Sequence, residues 1–111
     1  MKHLQLVLIV VSLFLAGTPA LSAATLATDG QPNMVIVRAQ DAIPAERTAC
    51  DELASYLGQI TGGTFAIVDE SAAASGPCIY VGPTAFARKH GLDPSAWGPE
   101  RWAVRTFKDD L

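Results

Sequence analysis

Apolar and polar positions alternate with a helical period in residues 44–60, where apolar side chains recur every three to four residues. Pro44 suits the first turn of a helix, because the N–H group that proline lacks is not needed there. Gly62 and Gly63 are typical of a helix end. The pattern predicts an amphipathic helix over 44–60, with Ile43 a poor N-cap and Asp41 an alternative one. The predicted apolar face comprises Ala49, Cys50, Leu53, Leu57 and Ile60.

Runs of β-branched and aromatic residues predict four strands, at 34–39, 65–68, 78–81 and 101–107. The first three are almost continuously apolar, as in buried strands, whereas the last alternates between apolar and polar residues, as a half-exposed strand would. Thr84 is expected to cap a short helix that runs to about His90. Residues rich in alanine, serine, glycine and proline predict loops at 69–77 and 94–99.

The order of these elements favours an α+β fold with a mixed β-sheet and helices packed on it. A helix of about 25 Å is long enough to cross one face of a sheet, so a parallel, right-handed strand–helix–strand unit is expected first. The fourth strand and the turn after it predict an antiparallel portion. That turn leads to no partner strand before Leu111, so the domain is expected to be C-terminally truncated.

Residues 1–23 have the pattern of a secretory signal peptide. A short basic start precedes an apolar run over 4–16, and small residues lead to a cleavage site after Ala23. The run reaches roughly 20 Å as a helix, which is short of a bilayer core of about 30 Å, so no stable membrane span is expected. An uncleaved membrane anchor is the alternative. The protein is therefore predicted to be secreted or periplasmic, with a linker at 24–33 and an accessory domain at 34–111.

Charge and cysteine content limit the chemistry further. The chain has 111 residues and a net charge of −3, so a surface for nucleic acid is not expected. Cys50 and Cys78 would reach an oxidising compartment, which permits one disulfide, although two separately buried thiols are favoured. The chain contains no Cys-x-x-Cys motif and no Cys/His cluster in its sequence, so neither a metal nor a cofactor is predicted.

Adjacent carboxylates occur at Asp51-Glu52, Asp69-Glu70 and Asp109-Asp110. Paired carboxylates perform glycoside hydrolysis, but sequence neighbours on a helix or strand point in different directions. Asp69-Glu70 is the best catalytic candidate, because it follows a predicted strand, and solvated charge is the alternative we favour. No catalytic residue is therefore predicted.

The remaining polar and aromatic candidates have simple structural explanations. His90 is the only histidine after the signal peptide, so neither a histidine triad nor a multi-histidine metal site is available. The basic cluster Arg88-Lys89-His90 is expected to be a solvated helix end. Trp97 and Trp102 are candidates for stacking on sugar rings, although packing in a core or a domain interface is favoured.

Three segments in a fixed order resemble the N-terminal domain of secreted glycoside hydrolases, namely the α-glucuronidases, the β-N-acetylhexosaminidases and related secreted proteins. The segments are Glu46-Arg47-Thr48-Ala49-Cys50-Asp51-Glu52-Leu53-Ala54-Ser55-Tyr56-Leu57, Ile60-Thr61-Gly62 and Ile79-Tyr80-Val81-Gly82. The resemblance covers about residues 34–111, and Cys50 replaces the alanine that is usual in this family.

The resemblance implies a zincin-like α+β domain without a zinc centre, followed by a catalytic (β/α)₈ barrel beyond Leu111. The family's catalytic carboxylates lie on that barrel, so no residue of this chain inherits their role. The expected function is a non-catalytic accessory domain of a secreted glycosidase acting on a polysaccharide or glycan, with 69–77 as a rim loop. A secreted carbohydrate-binding or adhesion module, and a small free-standing secreted protein, are the alternatives.

Overall fold

The computed structural model of the protein describes residues 24–72 and 76–108. The predicted signal peptide, the middle of the predicted loop at 69–77 and the end of the chain lie outside the described residues. The described residues form helices and small sheets, so the broad α+β class is confirmed.

The long helix α1 spans Pro44–Thr61, close to its predicted bounds. Its N-cap is Ile43, and the alternative N-cap Asp41 was wrong. The cap is completed by Glu46, whose carboxylate accepts a hydrogen bond from the Ile43 N–H at 3.0 Å. The helix ends at Gly62, which has a left-handed φ of 79° and donates its N–H to the Gly58 carbonyl at 2.8 Å. A glycine adopts this conformation without steric cost.

Three parallel strands form the main sheet: β3 at Val35–Arg38, β4 at Ile67–Asp69 and β5 at Cys78–Val81. Their order is β4-β3-β5, and Ile36 is aligned with Ile67 on one side and Ile79 on the other. The chain passes from β3 through α1 to the parallel neighbour β4, which confirms the predicted parallel strand–helix–strand unit.

Helix α1 packs on one face of this sheet and buries the main core. The core residues are Met34, Ile36, Cys50, Leu57, Phe65 and Ile79. Leu53 is partly buried against them, so the buried ridge of α1 runs through positions 50, 53 and 57. The predicted apolar face was wrong at its edges, because Ala49 is exposed and Ile60 is 79% exposed.

The segment predicted as a linker contains a small antiparallel hairpin, formed by β1 at Ala27–Thr28 and β2 at Gln31–Pro32. Partly buried Leu26 and Ala27 pack against the main core. The hairpin also approaches the end of α1 closely, since a Cβ atom added to Gly63 would lie 2.7 Å from the Gly30 carbonyl oxygen. These residues are therefore part of the packed structure, and the linker prediction was wrong.

The region after β5 differs most from expectation. Thr84 caps the short helix α2 at Ala85–Lys89, as predicted, by accepting a hydrogen bond from the Ala87 N–H at 3.1 Å. A 3₁₀ turn follows at Pro94–Ala96. Residues 101–106 form neither helix nor strand and are exposed, so the predicted strand at 101–107 was wrong. The described main sheet is consequently parallel rather than mixed, and the antiparallel pairing between described strands lies in the separate β1–β2 hairpin.

Candidate functional site

The carboxyl ends of parallel strands meet at one edge of a sheet, and this edge is where ligands bind in open sheets of this kind. Strands β4 and β5 lie on opposite sides of β3, so the loops that leave the three strands diverge there. Arg38, Asp69 and Gly82 stand at or just after these strand ends. This edge is therefore a candidate site.

Arg38 and Asp69 face each other across β3 and β4, because the strand register aligns them. The guanidinium Nε lies 2.6 Å from the Asp69 Oδ1, and both side chains are partly exposed. The hydrogen bond from Arg38 holds the pKa of Asp69 below its ordinary value, and the same bond raises the pKa of Arg38. Asp69 therefore stays ionised at neutral pH and is not suited to act as a general acid.

The neighbouring carboxylate of Glu70 points to a different element. Its two oxygens accept hydrogen bonds from the backbone N–H groups of Ala85 and Phe86, at 2.8 and 3.0 Å. Asp69 thus binds strand β3 while Glu70 binds the first turn of α2. The two carboxylates diverge, and neither the catalytic prediction nor the solvated-charge prediction anticipated these contacts.

Glu46 and Gly82 belong to separate segments of the family resemblance, and the fold brings them into contact. Gly82 has a φ of 80°, and a Cβ atom added there would lie 3.4 Å from the Glu46 Cγ and Cδ atoms. Glu46 also completes the N-cap of α1. The sequence singled out both residues as motif members, but only the packing of α1 against the end of β5 explains why they occur together.

Both cysteines are buried and the structure joins them in no disulfide, which confirms the favoured prediction of two separately buried thiols. Cys50 lies in the core beneath α1 together with Ile79. Cys78 precedes Ile79 on β5, so its side chain points to the opposite face of the sheet. Burial is the main cause that raises the pKa of the Cys50 thiol. A raised pKa disfavours the reactive thiolate.

A groove of about 540 Å³ lies between α1 and the edge strand β4. Asp51, Ser55 and Gln59 form its helical rim at intervals of one turn, and Phe65 and Ile67 line it from the strand side. Gln59 donates a hydrogen bond to the Ser55 hydroxyl at 3.2 Å. The groove combines polar hydrogen-bonding groups with an apolar wall. Its lining comes from α1 and the segment directly after it, and the apolar pattern of these residues did not predict it because the groove depends on how the chain turns back beside the helix.

The other residues considered from the sequence lie outside both places. His90 forms the C-cap of α2, with its ring centroid 4.4 Å from those of Phe86 and Phe107. Trp102 is 81% exposed, whereas Trp97 is partly buried. Within the described ranges, no group of three or more His, Cys, Asp or Glu side chains is placed to hold a metal ion.

No protein-family model, curated protein or solved structure matches this chain. Among the described residues, no helix has both the length and the apolar character needed to cross a bilayer.

Proposed function

We propose that the chain is the leader and the non-catalytic N-terminal accessory domain, zincin-like in fold, of a secreted glycoside hydrolase. The proposal starts from the resemblance of three ordered segments to such domains. In the parent protein, a catalytic barrel follows this domain, and the domain supplies interface area and a rim loop at 69–77. The parent hydrolyses glycosidic bonds of a polysaccharide or glycan after export, and residues 1–23 direct that export.

The observation that carries the proposal is the structural role of the residues that define the resemblance. Glu46 completes the first turn of α1 and lies against Gly82 after β5. Gly62 ends α1 in a left-handed conformation. Residues that set helix ends and helix–strand contacts are expected to define a scaffold rather than a reaction centre, which fits an accessory domain.

The carboxylates support the same proposal. A glycosidase needs two carboxyl groups that face one substrate, with one of them protonated in order to donate a proton. Asp69 is ion-paired with Arg38, and Glu70 is bonded to two backbone N–H groups. Both side chains are committed to holding elements of the domain together, so hydrolysis is assigned to the parent's barrel.

Two pairs of exposed apolar side chains on the described part of the chain are candidates for contact with a partner domain. Tyr56 and Ile60 are 62% and 79% exposed on α1, one turn apart. Trp102 and Val104 are 81% and 72% exposed in the segment after Glu100. Large exposed apolar side chains in clusters are typical of surfaces that pack against another domain. The proposed partner is the downstream barrel of the same polypeptide.

The gene itself provides the first test. The reading frame beyond Leu111 is expected to encode a further apolar strand and then on the order of 300 residues of alternating strands and helices. Short all-β repeats in that region would refute the proposal. A stop codon directly after Leu111 would refute it as well.

Activity of the complete gene product is the second test. The product is expected to hydrolyse a chromogenic glycoside. The variants Asp69→Asn and Glu70→Gln are expected to retain kcat within about twofold, since both side chains are bonded within the domain and the proposal assigns catalysis to the barrel. A loss of kcat of about a thousandfold in either variant at unchanged folding would place the catalytic carboxylates in this domain instead. The substitution Glu52→Gln on the exposed side of α1 is the matched control.

A non-catalytic carbohydrate-binding module remains the second candidate, and the groove beside β4 favours it. Ser55, Gln59 and Asp51 offer the donors and acceptors that sugar hydroxyls need. Titration of the chain with soluble oligosaccharides tests this function. Saturable binding that is lost in Gln59→Ala and kept in the control Gln40→Ala would support it, whereas an absence of binding across neutral and acidic oligosaccharides would exclude it.

A further inference from the structure

Helix α2 is too short to be stable by its own hydrogen bonds. It has five residues, and isolated helices of this length do not persist in water. Side chains satisfy three of the backbone N–H groups at its start. Thr84 accepts from Ala87, and the carboxylate of Glu70 accepts from Ala85 and Phe86. Glu70 therefore supplies two of these three bonds from a different part of the chain.

Helix α2 and its C-cap together carry half of an aromatic cluster, which consists of Tyr80, Phe86, His90 and Phe107. The rings of Tyr80 and Phe86 are stacked, with centroids 4.0 Å apart and an interplanar angle of 5°. Phe107 contacts Phe86 edge-on at 6.0 Å and His90 at 4.4 Å. The cluster joins strand β5, helix α2 and the later segment 101–108.

Segment 101–108 is exposed over most of its length, and Arg105 and Phe107 contact α2 and its C-cap. Phe107 enters the aromatic cluster, and Arg105 lies over the Phe107 ring with its guanidinium carbon 5.6 Å from the centroid. Arg105 also donates a hydrogen bond to the His90 carbonyl at 3.5 Å. The position of this segment consequently depends on where α2 presents Phe86 and His90.

We propose that Glu70 is a positioning residue, a latch that holds the start of α2 and thereby fixes segment 101–108 against α2 and its C-cap His90. Glu70, directly after β4, thus determines where the chain runs after α2. A change in the position of the Glu70 carboxylate would then be transmitted to segment 101–108. This inference does not depend on the proposed function, because it concerns contacts within the described chain.

The test compares the full chain with its Glu70→Ala and Glu70→Gln variants. Loss of two charge-assisted hydrogen bonds is expected to speed amide exchange at Ala85 and Phe86 about tenfold in Glu70→Ala. Glu70→Gln retains an acceptor oxygen, so its amide exchange rates at Ala85 and Phe86 are expected to lie between those of the original chain and those of Glu70→Ala. The same variants should weaken the nuclear Overhauser contact between the His90 and Phe107 rings and speed tryptic cleavage at Arg105. Glu52→Ala, which removes an exposed carboxylate of α1, should change none of these quantities.

The variant Phe107→Ala tests whether the effect runs from α2 to segment 101–108 and not in the reverse direction. It is expected to speed cleavage at Arg105 while leaving amide exchange at Ala85 and Phe86 within about twofold of the original rate. The latch is refuted if Glu70→Ala leaves both amides and the Arg105 cleavage rate unchanged. It is also refuted if exchange accelerates equally in β3 and α1, because Glu70 then stabilises the whole fold and not the path to segment 101–108.

Discussion

The unit from Val35 to Val81 is well packed and the region from Ala85 to Lys108 is mostly exposed, although both belong to one small chain. In the first unit, α1 lies across three parallel strands and removes Ile36 and Cys50 entirely from solvent. In the second, α2 has five residues and residues 101–106 are exposed. The difference teaches that an apolar pattern determines structure only where a second apolar surface is available to cover it.

The contacts that hold the two regions have different chemistry as well. The first unit relies on apolar burial between α1 and the sheet, with one ion pair at its edge. The second relies on hydrogen bonds that backbone N–H groups donate to the Glu70 and Thr84 side chains, and on stacked rings. Apolar burial is non-directional and grows with area, whereas capping bonds act over a single turn.

The largest expected effect comes from the centre of the first unit. Ile36→Ala removes a side chain that is 0% exposed, and it should lower the free energy of unfolding by about 2–5 kcal/mol because the cavity cannot fully collapse. Urea denaturation followed by circular dichroism measures this change. Ile60→Ala is the matched control, since Ile60 is 79% exposed and its truncation should cost less than about 0.5 kcal/mol. Equal losses at both positions would contradict the packing described for α1.

Much of the first unit could be predicted from its sequence, and the reason is visible in particular residues. Strand β5 occupies its predicted bounds, and α1 differs from prediction by one residue at its end. Periodicity still placed Ile60 in the core, because Ile60 lies beside the buried ridge and the pattern does not show how wide the sheet beneath it is.

What failed in the prediction depended on contacts between distant segments. Each strand of the β1–β2 hairpin has only two residues, which is too short to show a periodic apolar pattern. The hydrogen bond that the Ala85 N–H donates to Glu70 joins residues that only the fold brings together. Alternation at 101–107 predicted a strand, yet no described strand pairs with residues 101–106. An apolar pattern shows that a segment could be buried, but it does not show which other segment of the chain would cover it.

The second-largest loss of stability is expected from a substitution at the close approach between the hairpin and the end of α1. Gly63→Ala places a Cβ atom 2.7 Å from the Gly30 carbonyl oxygen and 2.9 Å from the Pro32 Cδ, so the hairpin must shift. The expected loss is about 1–3 kcal/mol in the free energy of unfolding. Gly98→Ala serves as the control, because no atom lies within 4 Å of the added carbon. An unchanged Gly63→Ala variant would show that the hairpin does not pack there.

A smaller effect concerns pH and the ion pair at the edge of the first unit. Because Arg38 lowers the pKa of folded Asp69 beneath the ordinary 3.8, the pair stabilises the protein above that pH. This stabilisation is lost as the pH falls through the lowered pKa of the folded state. Asp69→Asn should therefore reduce stability at pH 7 and flatten its decline below pH 4, as thermal melts from pH 7 to pH 2 would show.

Arg38→Gln provides the control for this ion pair, since it removes the partner and keeps the carboxylate. It should flatten the same part of the stability curve as Asp69→Asn. The pKa of Asp93 is also lowered, chiefly by its hydrogen bond with Ser95, so some acid dependence should persist in both variants. A wild-type decline in either variant would mean that the pair contributes nothing to the fold.

The smallest effect is expected in the second region, and it separates two explanations of the exposed segment. Trp102→Ala and Val104→Ala should each change the free energy of unfolding of the chain by less than about 0.5 kcal/mol, because the side chains are 81% and 72% exposed. A loss above about 2 kcal/mol would mean that the segment pairs as a buried strand after all. If the proposed barrel covers this segment, the same substitutions should cost more in the longer gene product than in the chain alone. Equal, negligible costs in both proteins would remove Trp102 and Val104 from the proposed interface and leave α1 to provide it.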